Sequence, residues 1–554
     1  MTVPQHSSFN TCADENEHPS LLTPSAILIS TFLSPNAVAS FRSLPETRTV
    51  LDIIDGKISD DNANALVEAN QLIKQAQDNV DRARDIFQSL PELHSATFLL
   101  DASLYSHLGQ FEKALTAIIR YQHLSNQTSA VALQFTKAKL LFHSGKFTHA
   151  LSEYEDMLEC MEEKIERQIQ NEQQSIDGER VAVIDGAAAL TGVGLSKFML
   201  HLTSQRAKDG DITIQSESID AIQTATEMLL ESRKNALSSI NHTDLALDLG
   251  LAAVISLTNF GVVQRLIYNK TEQPIKRWKQ GLDVLDQILR DSMISATVIP
   301  NHKYQCIQSL RARLYSNIAC VLLQLDGNLK DQGELADIDE GTLKKASEMA
   351  KKALEIYDEM LIGPKIASND AAIEEDSTED NEENWEEIMK DNPDFLQEKD
   401  ESDSNACPSK TSSLTLSPLW TAYNRAESAR AIGLVAMCYY HAGAAVTSEG
   451  LLQSALDASS IYPFGQCLKI DNNGVAIKGI SLSSPNLALI ARDVRLEYAL
   501  LCDKWDKRKG DARKFRVDAS RIEDEGVLKE FGGNTAVSGL VSSLWLFGPS
   551  NFKS

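Results

Sequence analysis

Thr191-Gly192-Val193-Gly194 is where the chain comes nearest to a phosphate cradle, since paired glycines let backbone N–H groups close on an anion. The third glycine of such a loop would fall at 197, where Lys197 stands, and AAALTGVGLSKFML has the composition of a helix with no strand before it. These glycines are expected to serve close helix packing. Asp326-Gly327-Asn328 begins like a calcium loop, yet Lys330 takes the fifth position, where an oxygen ligand is required. An exposed acidic turn is expected there. His143 and His149 lie six apart without a second ligand pair at zinc spacing. The patterns GxxxxGK[ST], HExxH and GxSxG do not occur. The residues therefore predict no catalytic group, no cofactor and no metal site. The rival expectation is an enzyme whose groups are spread over an α/α fold.

The elements that would position any of these groups are helices. At 554 residues the chain exceeds one compact core, so several domains or one long stack is expected. Hydrophobic residues make up 43% and aromatics only 6%, with Ala, Leu, Glu, Lys and Gln filling many windows. The formal charge of -25 repels phosphate backbones and anionic lipid, so no direct nucleic-acid or membrane-surface binding is expected. The densest basic run, Lys504 to Lys514, contains acids and reads as a solvated helix end. Eight cysteines stand singly, which fits reduced thiols in the cytoplasm or the nucleus. The first twenty residues lack the basic start of a secretory signal. The apolar run Leu245 to Val263 is interrupted by Asp248 and Asn259, so no membrane span is expected.

Leu66, Ala69, Ile73, Ala76, Val80, Ala83 and Phe87 recur at steps of three and four, the apolar stripe of one long helix ending near Pro91. The next stretch carries an internal repeat of 36 residues, each copy a helix, a glycine break and a second helix. Aligned on Gly109 and Gly145, Ala102 matches Ala138, Tyr105 matches Leu141, Phe111 matches Phe147, and Ala114 matches Ala150. Small residues pair with small and large with large, as a helix hairpin needs where two helices approach closely. One hairpin cannot cover its own apolar face, so neighbours must stack. With its small residue, aromatic and Gly-x-aromatic-x-x-Ala order, this stretch resembles the tetratricopeptide repeat family. The resemblance is close over about 65 residues and looser around 311–361 and 426–463, where Ala445 replaces the expected aromatic. It implies an all-α fold, a right-handed α-α superhelix.

A superhelix of this kind is expected to hold another protein's helix or extended peptide against its first helices, where Phe135, Lys139, Phe142 and His143 would form an apolar floor with one cation. For the two phenylalanines, ordinary packing against a neighbouring repeat is the competing expectation. A co-chaperone role is disfavoured, because Leu99 and Ser103 stand where that branch of the family carries its carboxylate-holding groups. Between Asp370 and Asp403, sixteen Asp or Glu face two lysines, predicting a disordered acidic insert over 363–415 with Trp385 as its candidate anchor for a partner. Residues 1–58 read as a disordered arm, 59–362 and 416–510 as repeat-like helices, and 511–554 as a tail that caps the last repeat or hangs free. Oligomeric state is left open.

Overall fold

The computed structural model describes residues between 41 and 546, with 1–40, 42–43, 56–64, 108–109, 126–130, 171–175, 205–211, 239–242, 296–298, 300, 327–337, 363–417, 460–484, 525–538, 545 and 547–554 outside the described residues. Gly109 and Trp385 are among those outside, as is the acidic insert. The described residues up to Leu361 and from Pro418 onward belong to one compact unit.

The described residues are all-α, and successive helices pack in series. They are α1 Pro45–Asp55, α2 Ala65–Ile86, α3 Pro91–His107, α4 Phe111–Ser125, α5 Val131–His143, α6 Phe147–Gln170, α7 Ile176–Ser204, α8 Ile212–Leu237, α9 Thr243–Tyr268, α10 Glu272–Ser295, α11 Asn301–Leu322, α12 Glu340–Ile362, α13 Pro418–His441, α14 Ala445–Ser459, α15 Pro485–Asp503 and α16 Lys509–Asp524. Odd-numbered helices open each hairpin and even-numbered ones close it.

The hairpin turns follow from local chemistry. Gly145 has φ 77° and Gly443 φ 80°, a left-handed conformation that glycine reaches without a Cβ penalty. At each, the following amide reaches back five residues, Lys146 N to Leu141 O and Ala444 N to Tyr439 O, closing the helix end. Gln324, with φ 55°, makes the same pair of bonds after α11 without a glycine. The paired repeat positions face inward: Ala102, Ala114, Ala138 and Ala150 are buried, as are Phe111, Leu141 and Phe147, while Tyr105 is half-buried beneath Lys113.

Two boundaries move. The arm predicted over 1–58 contains α1, with Phe41 and Val50 buried and the Phe41 ring stacked 5.6 Å from Phe87. The tail predicted over 511–554 begins inside α16 and, among its described residues, contains a 3-10 turn, Gly539–Ser543, with Leu540, Val541, Leu544 and Leu546 buried. Each apolar side chain so buried stabilises by about 1.5–3 kcal/mol, which a free chain end would forgo.

The helices of the middle are longer than those of the first repeats, with α7 at 29 residues against 13 for α5. Here Gly192 and Gly194 do what the helical composition around them implies. A Cβ on Gly192 would lie 2.5 Å from the Tyr154 ring, and one on Gly194 2.8 Å from the Ser218 carbonyl. Ser218 Oγ donates to Gly194 O at 2.7 Å, so α7 and α8 touch backbone to side chain. Val183–Thr203 and Asp244–Tyr268 are long and apolar enough to cross a membrane by length and composition, and they are 72% and 94% buried inside the protein.

Candidate partner-binding site

The odd-numbered helices form a row, with α5, α7, α9, α11, α13 and α15 each touching the next. Buried ion pairs key that row. Lys303 Nζ on α11 donates to Asp248 Oδ1 on α9 at 2.7 Å, with neither side chain more than 4% exposed. Arg313 on α11 donates to Glu427 on α13 at 2.8 Å, and the Tyr357 hydroxyl of α12 donates to the other carboxylate oxygen at 3.1 Å. Asp326, predicted on an exposed acidic turn, is instead 5% exposed and paired with Arg265 of α9. Charges removed from water are tolerated because each is matched, and the matching admits one register of helix against helix.

At the N-terminal end of the row, the four predicted contact residues of α5 separate into two kinds. Phe135 is 5% exposed with its ring edge-on to Tyr154 at 6.2 Å, and Phe142 is 2% exposed with its ring 5.2 Å from Phe147. Both sit in the core, so the apolar floor is spent on packing between repeats. Lys139 and His143 are half-buried. Burial pulls the Lys139 ammonium below its usual range. The His143 ring stacks on Phe111 at 5.3 Å and stands edge-on to Phe142 at 5.9 Å. Burial, with Lys139 adding to it, pushes the imidazole down to about 3.

That shift has a sign. The folded chain keeps His143 neutral at pH values where the unfolded chain, near its ordinary value of about 6.5, takes up a proton. Stability from this site is full above about 6.5 and declines as pH falls toward 3. His143→Phe keeps the ring between its neighbours and removes the titration. Its melting temperature is expected to drop less between pH 7 and pH 5 than that of the parent, as thermal unfolding followed by circular dichroism would read. Parallel pH profiles for the two chains would contradict this.

Leu99 and Ser103, the positions at which a carboxylate clamp would need polar groups, are buried. Among the described residues no three of His, Cys, Asp and Glu gather as a metal site would. The thiols of Cys306, Cys320 and Cys438 are pushed up to about 12 by burial, which keeps them protonated and poor nucleophiles.

At the C-terminal end of the row lies a feature that sequence reasoning left open. The 3-10 turn Gly539–Ser543 packs against α9, α11 and α15. Ser543 Oγ donates to Asn317 Oδ1 of α11 at 2.6 Å and accepts from Arg430 Nη1 of α13 at 2.7 Å. Ser543 and Asn317 are fully buried. Asn317 Nδ2 and Arg430 Nη2 are buried donors without an acceptor. Glu497 on α15 faces Arg430 and Asp493, and burial raises its carboxyl to about 8. The apolar cluster Leu544-Trp545-Leu546-Phe547 left docking and hanging free both open; nothing in it named the four helices. Set beside known protein families and curated proteins, the chain matches none.

Proposed function

We propose that the chain is a non-catalytic scaffold or adaptor subunit of a larger cytoplasmic or nuclear assembly. In this reading it is a tetratricopeptide-like right-handed superhelix that holds a helix or extended segment of a partner protein against its odd-numbered helices. The observation that carries the reading is that this row already accepts a short segment from elsewhere in the chain, seated across α9, α11, α13 and α15 by apolar burial and by the two bonds to Ser543. The 36-residue repeat supports the family likeness, and Lys139 and His143 leave polar character at the other end of the row.

Photo-crosslinking tests it. A crosslinker placed at Gln134 or Lys139 on α5 is expected to capture partner protein, while one at Glu159 on α6 or Arg290 on α10 is not. Crosslinks concentrated on the even-numbered helices would overturn the reading. Phe135 and Phe142 are unsuitable as probes, because charge at either would disrupt the core.

A further inference from the structure

We infer that the C-terminal segment is a resident pseudo-ligand, which occupies the part of the odd-helix row built for a guest segment with apolar side chains around one carboxylate. The inference rests on the scaffold reading above and adds which part of the row binds, what chemistry it selects and what holds it shut.

Three observations carry it. The segment is short and enters the row late, joining α9, α11, α13 and α15 although it follows all of them in sequence. Leu540, Val541, Leu544 and Leu546 are buried in one apolar cluster with residues of those helices, and the surface they cover is the trough. The polar end of the trough is imperfectly matched by its resident. The Ser543 hydroxyl has one oxygen, which engages Asn317 Oδ1 and Arg430 Nη1, and the other nitrogen on each of those two side chain ends, Asn317 Nδ2 and Arg430 Nη2, is buried without an acceptor. A carboxylate at that place has no proton for Asn317 Oδ1, so the amide turns over to donate from Nδ2 to one oxygen while the Arg430 guanidinium donates to the other. The acids nearby do not forbid it. Asp493 is engaged by Arg492 at 2.6 Å, and Glu497, its carboxyl raised to about 8, is protonated at neutral pH.

A tethered resident has an advantage of concentration. Covalently joined to the chain it covers, it faces the trough at an effective concentration on the order of mM. A guest of equal affinity needs about the same concentration to displace half of it, and one binding tenfold tighter needs about 0.1 mM.

The test uses the full chain and a synthetic peptide of residues 536–548, either as written or with Ser543→Asp. Hydrogen exchange of the chain's own 539–544 amides reports displacement. The Asp peptide is expected to free them at about a tenth of the concentration the Ser peptide requires, and Asn317→Leu is expected to shrink that preference to less than threefold. A second full-length chain, Leu540→Glu with Leu544→Glu, loosens the resident and should bind labelled Ser peptide at least tenfold more tightly than the parent does, with helix content unchanged.

Equal potency of the two peptides on the parent chain would overturn the carboxylate. Failure of millimolar peptide to free the resident, together with no gain in the loosened chain, would overturn the pseudo-ligand. A concentration-dependent dimer that the peptide dissolves would assign the resident to a second copy and overturn occupancy in cis. Any of these with crosslinks still confined to the odd-numbered helices leaves the scaffold reading standing and removes only this inference. Crosslinks on the even-numbered helices remove the scaffold reading itself.

Discussion

Glu427→Ala is expected to destabilise the protein by about 3–5 kcal/mol, because it takes the carboxylate away from the Arg313 guanidinium in a place almost closed to water. The carboxylate is shared: one oxygen accepts from Arg313 on α11 and the other from the Tyr357 hydroxyl on α12, while Glu427 itself belongs to α13. Losing it takes this acceptor from two donors on two helices. The apolar contacts among the same helices, Ala312, Ala353, Ile356, Met360 and Ala431, cannot solvate either donor. The control separates a charge deprived of its carboxylate from lost packing. Arg313→Met, Tyr357→Phe and Glu427→Leu together remove both donors and the shared carboxylate, and buried ion pairs replaced in this way are often neutral or more stable by about 1–4 kcal/mol. Urea unfolding of the single and triple variants measures both. A single variant within about 1 kcal/mol of the parent, or a triple variant as damaged as the single one, would show that the pair is not what holds α13 to α11.

The same chemistry explains where sequence reasoning succeeded and where it stopped. Helices were legible because their apolar residues recur on one face, and the first hairpins were legible because Ala102 and Ala138, or Phe111 and Phe147, repeat in both type and depth. Gly145 announced its turn because the left-handed conformation it adopts is costly for other residues, whereas Gln324 makes the same turn unannounced. Charge was the weakest guide. Asp248 reads as an interruption of an apolar run, and it is the buried partner of Lys303, 55 positions later. Asp326 reads as a solvated acid and closes on Arg265, 61 positions earlier. A single sequence gives the type of a charged residue and not its distant partner, so burial by pairing is invisible to it. The C-terminal segment was hidden for the same reason. Its leucines show that something will be covered, and the covering surface belongs to helices far upstream. Of the four predicted contact residues on α5, Lys139 and His143 keep an open side and the phenylalanines do not, because a phenylalanine on a repeat's first helix fits a groove and a core equally well by spacing alone.

Gly261 and Trp278 make a size exchange of the sort that decides how closely two helices can lie. Trp278 on α10 is fully buried, and its indole N–H donates to the Thr258 carbonyl of α9 at 3.2 Å. The ring lies over Gly261, where a Cβ would stand 2.3 Å from the indole nitrogen and 2.7 Å from the neighbouring ring carbon. In an open helix, alanine in place of glycine would gain about 1 kcal/mol from propensity. Here the ring would have to leave its place and give up its hydrogen bond. Overfilling a packed interior costs about 1–3 kcal/mol or more, so Gly261→Ala is expected to be destabilising and Gly261→Leu more so. Trp278→Ala errs the other way, opening a cavity at about 3–5 kcal/mol. Since one change adds the volume that the other removes, they cannot be additive. The double variant Gly261→Leu with Trp278→Ala is expected to recover at least half of the summed loss, read as the shift in melting temperature across all four chains. Additive losses would mean that the two side chains do not compete for one space, and that the spacing of α9 and α10 is set elsewhere. Recovery would place it at this contact, in a helix that is mostly buried and against which the C-terminal segment rests.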